Sequence, residues 1–459
     1  MSNELPKWWT IQKLLDLAPL VPTGIPKFFG EVEYYSTGSI QGTKRIPEGR
    51  FSFSNRPSRA NRWVHVGDVL QARMQGTNKA LLVNAEIAEK LFSTGFLQLR
   101  PDSRICESRY LYHFLSSKQF LDERDSFATG STQIALTDTG AKQLSIPLPP
   151  FPEQRRIVAK LDKLLGKVDA CRMRLEKIPV ILKRFRQAVL AVACSGRLTA
   201  DWREQNLAAT TDETPEDFPA GWKPACVRDV IENLKYGTAQ KCDYERRGVP
   251  VLRIPNIVNG TIDHTDLKYA ELPAKELENL RLYVGDILLI RSNGSVSLVG
   301  KSAIVREQER SFAYAGYLIR IRPIRSVVEP EFLNLVLGSY DIRLQIELEA
   351  RSTSGVNNIN GEEVRDLRFS LPPLIEQHEI VHRVEALFAL AYQIEARYMK
   401  AKTHTDKLTQ SILSKAFRGE LVPQDPNNEP ASELLKRIKQ EKIQRETNKK
   451  HITKIRDNS

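Results

Sequence analysis

The pentapeptide HEIVH, residues 378–382, sets His378 and His382 one helical turn apart with Glu379 between them. Two imidazoles at i and i+4 share a helix face and can bind Zn²⁺, leaving the glutamate as general base toward the metal-bound water of a zinc hydrolase. A catalytic zinc also needs a third protein ligand and a shielded site, and the RVEALFAL that follows lacks the xxGxxH extension that would supply a third histidine. Ile380, Val384 and Leu387 form an apolar stripe. His378 and His382 lie about 160° around the helix from Ile380, so a solvated helix face is the expectation.

NGSVSLVGKS, residues 293–302, offers nucleotide chemistry, because a glycine loop ending in GKS suggests a phosphate cradle. The spacing is wrong: Gly294 and Gly300 enclose five residues, one more than the cradle's backbone amides accommodate. LPPF at 148–151 is close to the Asn/Asp-Pro-Pro-Tyr/Phe motif of amino-methyltransferases, but Leu148 lacks the polar oxygen that holds the target amine. No cofactor-binding motif and no nucleophile triad is visible.

The elements that carry these residues are written twice. LPPFPEQRRIV at 148–158 returns as LPPLIEQHEIV at 371–381, a shift of 371 − 148 = 223 residues. Gly196 and Leu198 map onto Gly419 and Leu421 in the same register, VGDVLQAR at 66–73 matches VGDILLIR at 284–291, and GFLQLRP at 95–101 matches GYLIRIRP at 316–323. Repeats of this kind mark repeated structural units. Each unit is a variable stretch followed by a better-kept one that is helical. Ile157, Leu161, Leu164, Val168, Cys171, Leu175, Ile178, Leu182, Phe185, Val189 and Val192 step by fours and threes, the period of a coiled-coil seam. The second copy, Ile380 through Ile412, carries a softer version. Each helix would run about 60 Å at 1.5 Å per residue, Pro179 should kink or interrupt the first, and two such helices can cover one another as a pair. The variable stretches read as α+β, with short β-rich runs such as DVLQAR, VPVLRI and DILLIR. Residues 431–459 read as a polar helix or a disordered tail dense in Lys and Arg.

At 459 residues the chain should hold two or three domains. Lys plus Arg exceeds Asp plus Glu by 68 − 56 = +12, which favours a polyanionic partner. The five cysteines contain no CxxC pair, which fits a reducing compartment. No run approaches the ~20 apolar residues of a membrane span, so a soluble, cytoplasmic protein with no membrane partner is expected.

LPPFPEQRRIVAKLDKL with AVACSGRLT, LPPLIEQHEIVHRVEAL with SILSKAFRGELV, GVPVLRIPNIVNG at 248–260 and EPASELLKRI at 429–438 together resemble the specificity subunit of type I restriction-modification enzymes, over nearly the whole chain. The resemblance implies two globular α/β target recognition domains in pseudo-twofold repeat, joined by two long antiparallel coiled-coil helices. It divides the chain into a first recognition domain (1–150), a first spacer helix (151–200), a second recognition domain (201–370), a second spacer helix (371–425) and a basic tail (426–459). It further implies a non-catalytic subunit that binds double-stranded DNA and reads a bipartite target, with the helices setting the gap. Two methyltransferase subunits would carry S-adenosylmethionine, motor-nuclease restriction subunits would join for cleavage, and no cofactor would bind this chain itself.

Reading bases requires side chains that match base-edge donors and acceptors. The candidates are Lys44, Arg45, Arg73, Gln75, Asn78, Lys79, Thr132 and Gln133 in the first domain, and Arg253, Asn256, Arg291, Asn293, Lys301, Asn357 and Asn358 in the second. A coiled-coil DNA-binding regulator acting alone, or a zinc hydrolase built on HEIVH, are the alternatives.

Overall fold

The computed structural model describes residues 5–42, 44–131, 133–206, 217–258, 260–349, 351–353 and 356–457. The chain divides into two compact units, residues 1–175 with 400–459, and residues 176–399. Each holds an α/β domain and a pair of helix segments.

In the first unit, strand Val69–Ala72 lies between Phe96–Leu99 and Ala80–Leu82, antiparallel to both, and Val32–Tyr35 runs parallel to Leu91–Ser93. The second unit repeats the plan. Ile287–Ile290 lies between Leu318–Pro323 and Ser302–Ile304, and Val249–Leu252 runs parallel to Ala313–Tyr314. These central strands are buried along their whole length; Ile287–Ile290 reads as an uninterrupted apolar run, whereas Val69–Ala72 carries the buried Gln71.

Each domain hangs from its helices by a two-stranded antiparallel neck. Thr10–Lys13 pairs with Ser145–Leu148, and Lys223–Cys226 pairs with Arg368–Leu371. Just beyond each neck the chain closes on itself, with the Leu14 amide donating to Leu144 O at 2.9 Å and the Val227 amide to Leu367 O at 3.0 Å.

The helix that leaves the first neck spans Phe151–Leu175, and a second resumes at Ile178–Cys194 with Pro179 in its first turn. The interruption has a simple cause: proline has no N–H to give and is accepted only where a helix begins. The helix after the second neck, Leu374–Phe417, has no such break and runs 44 residues. In the first unit Gln424 reaches Glu153 and Arg172 faces Asp406 at 3.6 Å, so the two segments run antiparallel. In the second unit Thr199 bonds Glu376 and Arg186 bonds Glu395, again antiparallel. The apolar seam holds only near the domains. Ile157, Leu161, Val168 and Ile412 are buried in the first unit and Leu182, Val189, Ile380, Val384 and Ala391 in the second, whereas Cys171, Ile394 and Leu408 are exposed.

The repeated Glu-Gln pair explains why the motif is kept in both halves. Glu153 accepts from the Trp9 indole at 3.0 Å, and Glu376 accepts from the Trp222 indole at 2.9 Å. Gln154 accepts from the Glu107 amide and donates to Ile105 O and Pro149 O, and Gln377 does the same with the Glu329 amide, Val327 O and Pro372 O. Glu107 and Glu329 are the N-cap residues of helices Ser108–Leu115 and Pro330–Leu337. Each glutamine, itself buried, therefore ties the N-terminal end of a domain helix to the start of a spacer helix with two bonds and fixes its own lead-in with a third.

The GxL turns are fixed just as tightly. Gly196 and Gly419 adopt φ of +73° and +77°, a region costly for any side chain. A Cβ at Gly196 would meet Pro219 at 2.8 Å, and one at Gly419 would meet Pro6 at 2.2 Å. The turns thus pack on a Pro-x-x-Trp corner, Pro219 to Trp222 or Pro6 to Trp9. The C-terminal stretch does more than the basic tail expected: Ala431–Asp457 is a helix whose Ala431, Leu434 and Ile438 enter the first unit's core.

Candidate DNA interface

Both domains end their central strand in an arginine held by its own backbone. The Arg73 amide donates to Gly95 O at 3.0 Å, and Arg73 O accepts from the Leu136 amide at 2.8 Å. The Arg291 amide donates to Tyr317 O and Arg291 O accepts from the Ile359 amide, both at 2.9 Å. In each case the second partner closes a short hairpin, Ala128–Thr129 with Ala135–Leu136 or Arg351–Thr353 with Val356–Asn358. The hairpin is laid against the chain beside the arginine: Met74 bridges Ala135, and Ser292 and Asn293 pair with Asn358 and Asn357. The same backbone frame is thus built twice, with different side chains upon it.

In the first unit the arginine is consumed by this frame. Arg73 donates through Nε to Phe96 O, through Nη1 to Leu136 O and through Nη2 to Asp138 at 2.6 Å. Arg73, expected as a reader, thus has all three nitrogens bonded within the fold, where it braces the hairpin. Gln75 and Gln133 are exposed beside it, with the Gln75 amide bonded to Ile134 O. Asn78 lies near Ser116 O at 3.5 Å, and Lys79 donates to Thr37 O at 2.7 Å. Lys44 and Arg45 form one exposed strand of a hairpin, where Arg45 faces Glu86 at 4.0 Å. Thr132 lies outside the described residues. Sequence reading missed Arg124, which is buried and donates to Ala72 O and Thr77 O, while its neighbour Asp125 accepts from the Gly76 amide. That pair fixes the shape of the loop presenting Gln75, and nothing in its local sequence signals the role.

The second unit leaves its arginine open. Arg291 Nε lies 3.3 Å from Asn358 Oδ1, and the guanidinium sits 4.7 Å over the Tyr236 ring. Tyr236 accepts the Gly361 amide at 2.8 Å, so the ring is held. Arg291, Ser292, Gly316, Tyr317, Val356 and Asn358 line an open cavity of about 280 Å³. Asn293 accepts from the Ser295 amide and Asn357 donates to Gly294 O, which shapes the loop at the rim; Lys301 is exposed at that loop's end. The two tyrosines, Tyr236 and Tyr317, were not anticipated: Tyr236 belongs to no motif, and Tyr317 lies in the repeated GYLIRIRP stretch, where the counterpart residue is Phe96.

Two second-domain candidates are engaged within the fold. Asn256 is 1 % exposed; its side chain accepts from the Arg253 amide and donates to Asp263 O and Asp266 O. Arg253 donates to Asp266 O and pairs with its carboxylate at 2.9 Å. Both staple a turn, as polar loop side chains do when they satisfy nearby backbone.

The enzyme-like motifs resolve into structure. Ile380 is fully buried, and His378 and His382 are exposed, with His378 Nε2 2.9 Å from Glu329. Among the described residues no group of three or more His, Cys, Asp or Glu is placed to hold a metal ion. Replacing His378 and His382 together with Ala should leave DNA methylation by an assembled complex unchanged, since an exposed pair contributes only about 0–1 kcal/mol. Stoichiometric bound zinc with activity lost on chelation would contradict this. The GKS stretch links strands Ser292–Asn293 and Ser302–Ile304, so no helix N-terminus follows to complete an anion cradle.

The family described as type I restriction modification DNA specificity domain matches residues 22–179 and 219–401. The specificity subunit of type I restriction enzyme EcoKI from Escherichia coli strain K12 is 35% identical over 353 residues, 75% of this chain and 74% of that protein. The StySPI specificity subunit of Salmonella potsdam is 34% identical over 352 residues, 75% and 73% of the two chains. Among solved structures, a chain from a study of assembly and conformational transition of the type I R-M system superposes with TM-score 0.71 at 23% identity, covering 91% of this chain and 99% of that one. The HsdS subunit from Thermoanaerobacter tengcongensis gives 0.54 at 23% identity, covering 91% and 98%. No described helix is long and apolar enough to cross a membrane.

Proposed function

This chain belongs to the type I restriction-modification DNA specificity family, and from that premise we propose that it is the subunit that reads a bipartite DNA target, one half with each α/β domain. The observation that carries the reading is the duplicated strand-end arginine with its hairpin. A frame kept twice with side chains that differ is what two readers of two different half-sequences require, since base identity is read by side chains presented from a rigid support. Gln75 and Gln133 would face bases in the first half and Arg291, Asn357 and Asn358 in the second, while Lys44, Arg45, Lys79 and Lys301 supply positive charge toward phosphates. Such contacts position the protein without encoding sequence.

The chain aims and does not react. Methyltransferase subunits, two in the full assembly, bring S-adenosylmethionine and the chemistry; restriction subunits bring cleavage; the helices between the domains set the gap between half-targets. The purified chain alone with S-adenosylmethionine should give no methyl transfer, and adding the cognate methyltransferase subunit should produce methylation confined to one split motif. Transfer by the chain alone would overturn the assignment of roles.

A further inference from the structure

Arg291 and Asn358 form a fixed edge rich in donors. Arg291 is clamped at its amide by Tyr317 O and at its carbonyl by Ile359 N. Its ring neighbour is Tyr236, and its Nε is turned toward Asn358 Oδ1. Among the described residues Nη1 and Nη2 have no partner, although the whole residue lines the cavity. Because Asn358 spends its oxygen on Arg291, what it offers outward is its NH₂ group. The repeat counterpart Arg73 has all three nitrogens taken by Phe96 O, Leu136 O and Asp138. The difference between the domains is therefore specific to this pair of side chains.

Resting on the reading that this chain recognises DNA, we infer that Arg291, oriented by Asn358 and Tyr236, reads a guanine in the major groove, so that the second half-target contains an obligatory G·C pair. A guanidinium with Nε held back presents Nη1 and Nη2 as two parallel donors, and guanine N7 and O6 are the one pair of adjacent acceptors on a major-groove edge. Adenine offers N7 beside the N6 donor and cytosine offers the N4 donor, so each sets donor against donor. Thymine offers a single acceptor beside a methyl group. In the minor groove the same edge would meet acceptors alone at A·T and T·A and the guanine N2 donor at G·C, so it would disfavour G·C and could not tell A·T from T·A. Stacking on Tyr236 and the bond to Asn358 fix the fork before binding, which lowers the ordering cost of recognition.

The test uses the complex assembled with its methyltransferase and the duplex motif found by methylome mapping. Replacing the second-half guanine by 7-deazaguanine, which lacks the N7 acceptor, should weaken binding about 5- to 150-fold, and inosine, which keeps N7 and O6, should bind as guanine does. In Arg291→Ala that position should relax to any base while the first half-sequence stays fixed, and 7-deazaguanine should cost nothing further. If Arg291→Ala does not assemble, Arg291→Met keeps the side chain's length, removes every donor, and should relax the same position. A second half-target without a G·C pair, or an Arg291→Ala complex weakened equally on all sequences with its motif intact, would overturn the inference, the latter marking a phosphate contact. If no motif follows this chain at all, the DNA-reading role itself falls and takes the inference with it.

Discussion

Glu376→Ala should destabilise the second unit by about 3–5 kcal/mol, the cost of leaving a buried charge without its counterpart. Glu376 is fully buried and accepts from Thr199 Oγ1 at 2.7 Å, Arg203 Nη2 at 2.7 Å and Trp222 Nε1 at 2.9 Å. Truncation strands the Arg203 guanidinium, the Trp222 indole and the Thr199 hydroxyl together. Hydrogen exchange, read separately over each unit, is the suitable measurement, because it reports local as well as global opening. Protection should fall across residues 176–399 and hold in the first unit. Glu153→Ala should cost less, about 1–3 kcal/mol, because among the described residues Glu153 holds Trp9 and Gln424 and no cation is bonded to it. Equal losses, or a larger one at Glu153, would contradict this account of the repeated motif.

The two glutamates also differ in what a neutral replacement does. Burial pushes the Glu153 carboxyl above its ordinary pKa, against the opposing effects of Trp9, Gln424 and Arg156, and among the described residues its Oε2 has no hydrogen-bond partner. A raised folded-state pKa means that the folded form holds the proton more tightly. The ionised carboxylate therefore opposes folding above the ordinary glutamate range, and that penalty fades as pH falls below it. Glu153→Gln should gain on the native chain at neutral pH and lose the advantage in acid, as unfolding followed across pH would reveal.

Much of this was legible in the sequence because the chain repeats its own long-range constraints. The shift of 223 residues put Glu153 and Glu376, Gln154 and Gln377, and Gly196 and Gly419 into register, and the apolar stripe placed His378 and His382 on the solvent side. The Pro-x-x-Trp corners escaped notice: Pro6 and Trp9 stand 213 residues before Pro219 and Trp222, out of step with the rest of the repeat, and share just two residues. The packing of Ala431, Leu434 and Ile438 was hidden by the surrounding lysines and glutamates. Polar loop residues were the hardest to sort. Arg73 and Arg291 occupy equivalent places, and what separates a brace from an open donor edge is Asp138, 65 residues farther along the chain. Asn256 looks like a reader until Asp263 and Asp266 are seen to take its amide. Composition cannot distinguish a polar group satisfied within the fold from one reserved for a partner.

The necks supply the test of the central claim, that each domain reads its own half-target. Val227 N and Leu367 O are hydrogen-bonded neighbours, so residues 227–367 leave and re-enter the rest of the unit at one place. Exchanging that segment for its counterpart from a relative with another target keeps the neck pair Lys223–Cys226 with Arg368–Leu371. It also moves Ile231–Tyr236 together with its partner strand Leu318–Pro323, so no sheet is split between parents. The decisive measurement is methylome sequencing of hosts expressing the native and exchanged chains with the cognate methyltransferase. The account predicts a split motif in both hosts, with one half replaced by the donor's and the other half and the gap unchanged. Simultaneous change of both halves, or a continuous motif, would contradict it.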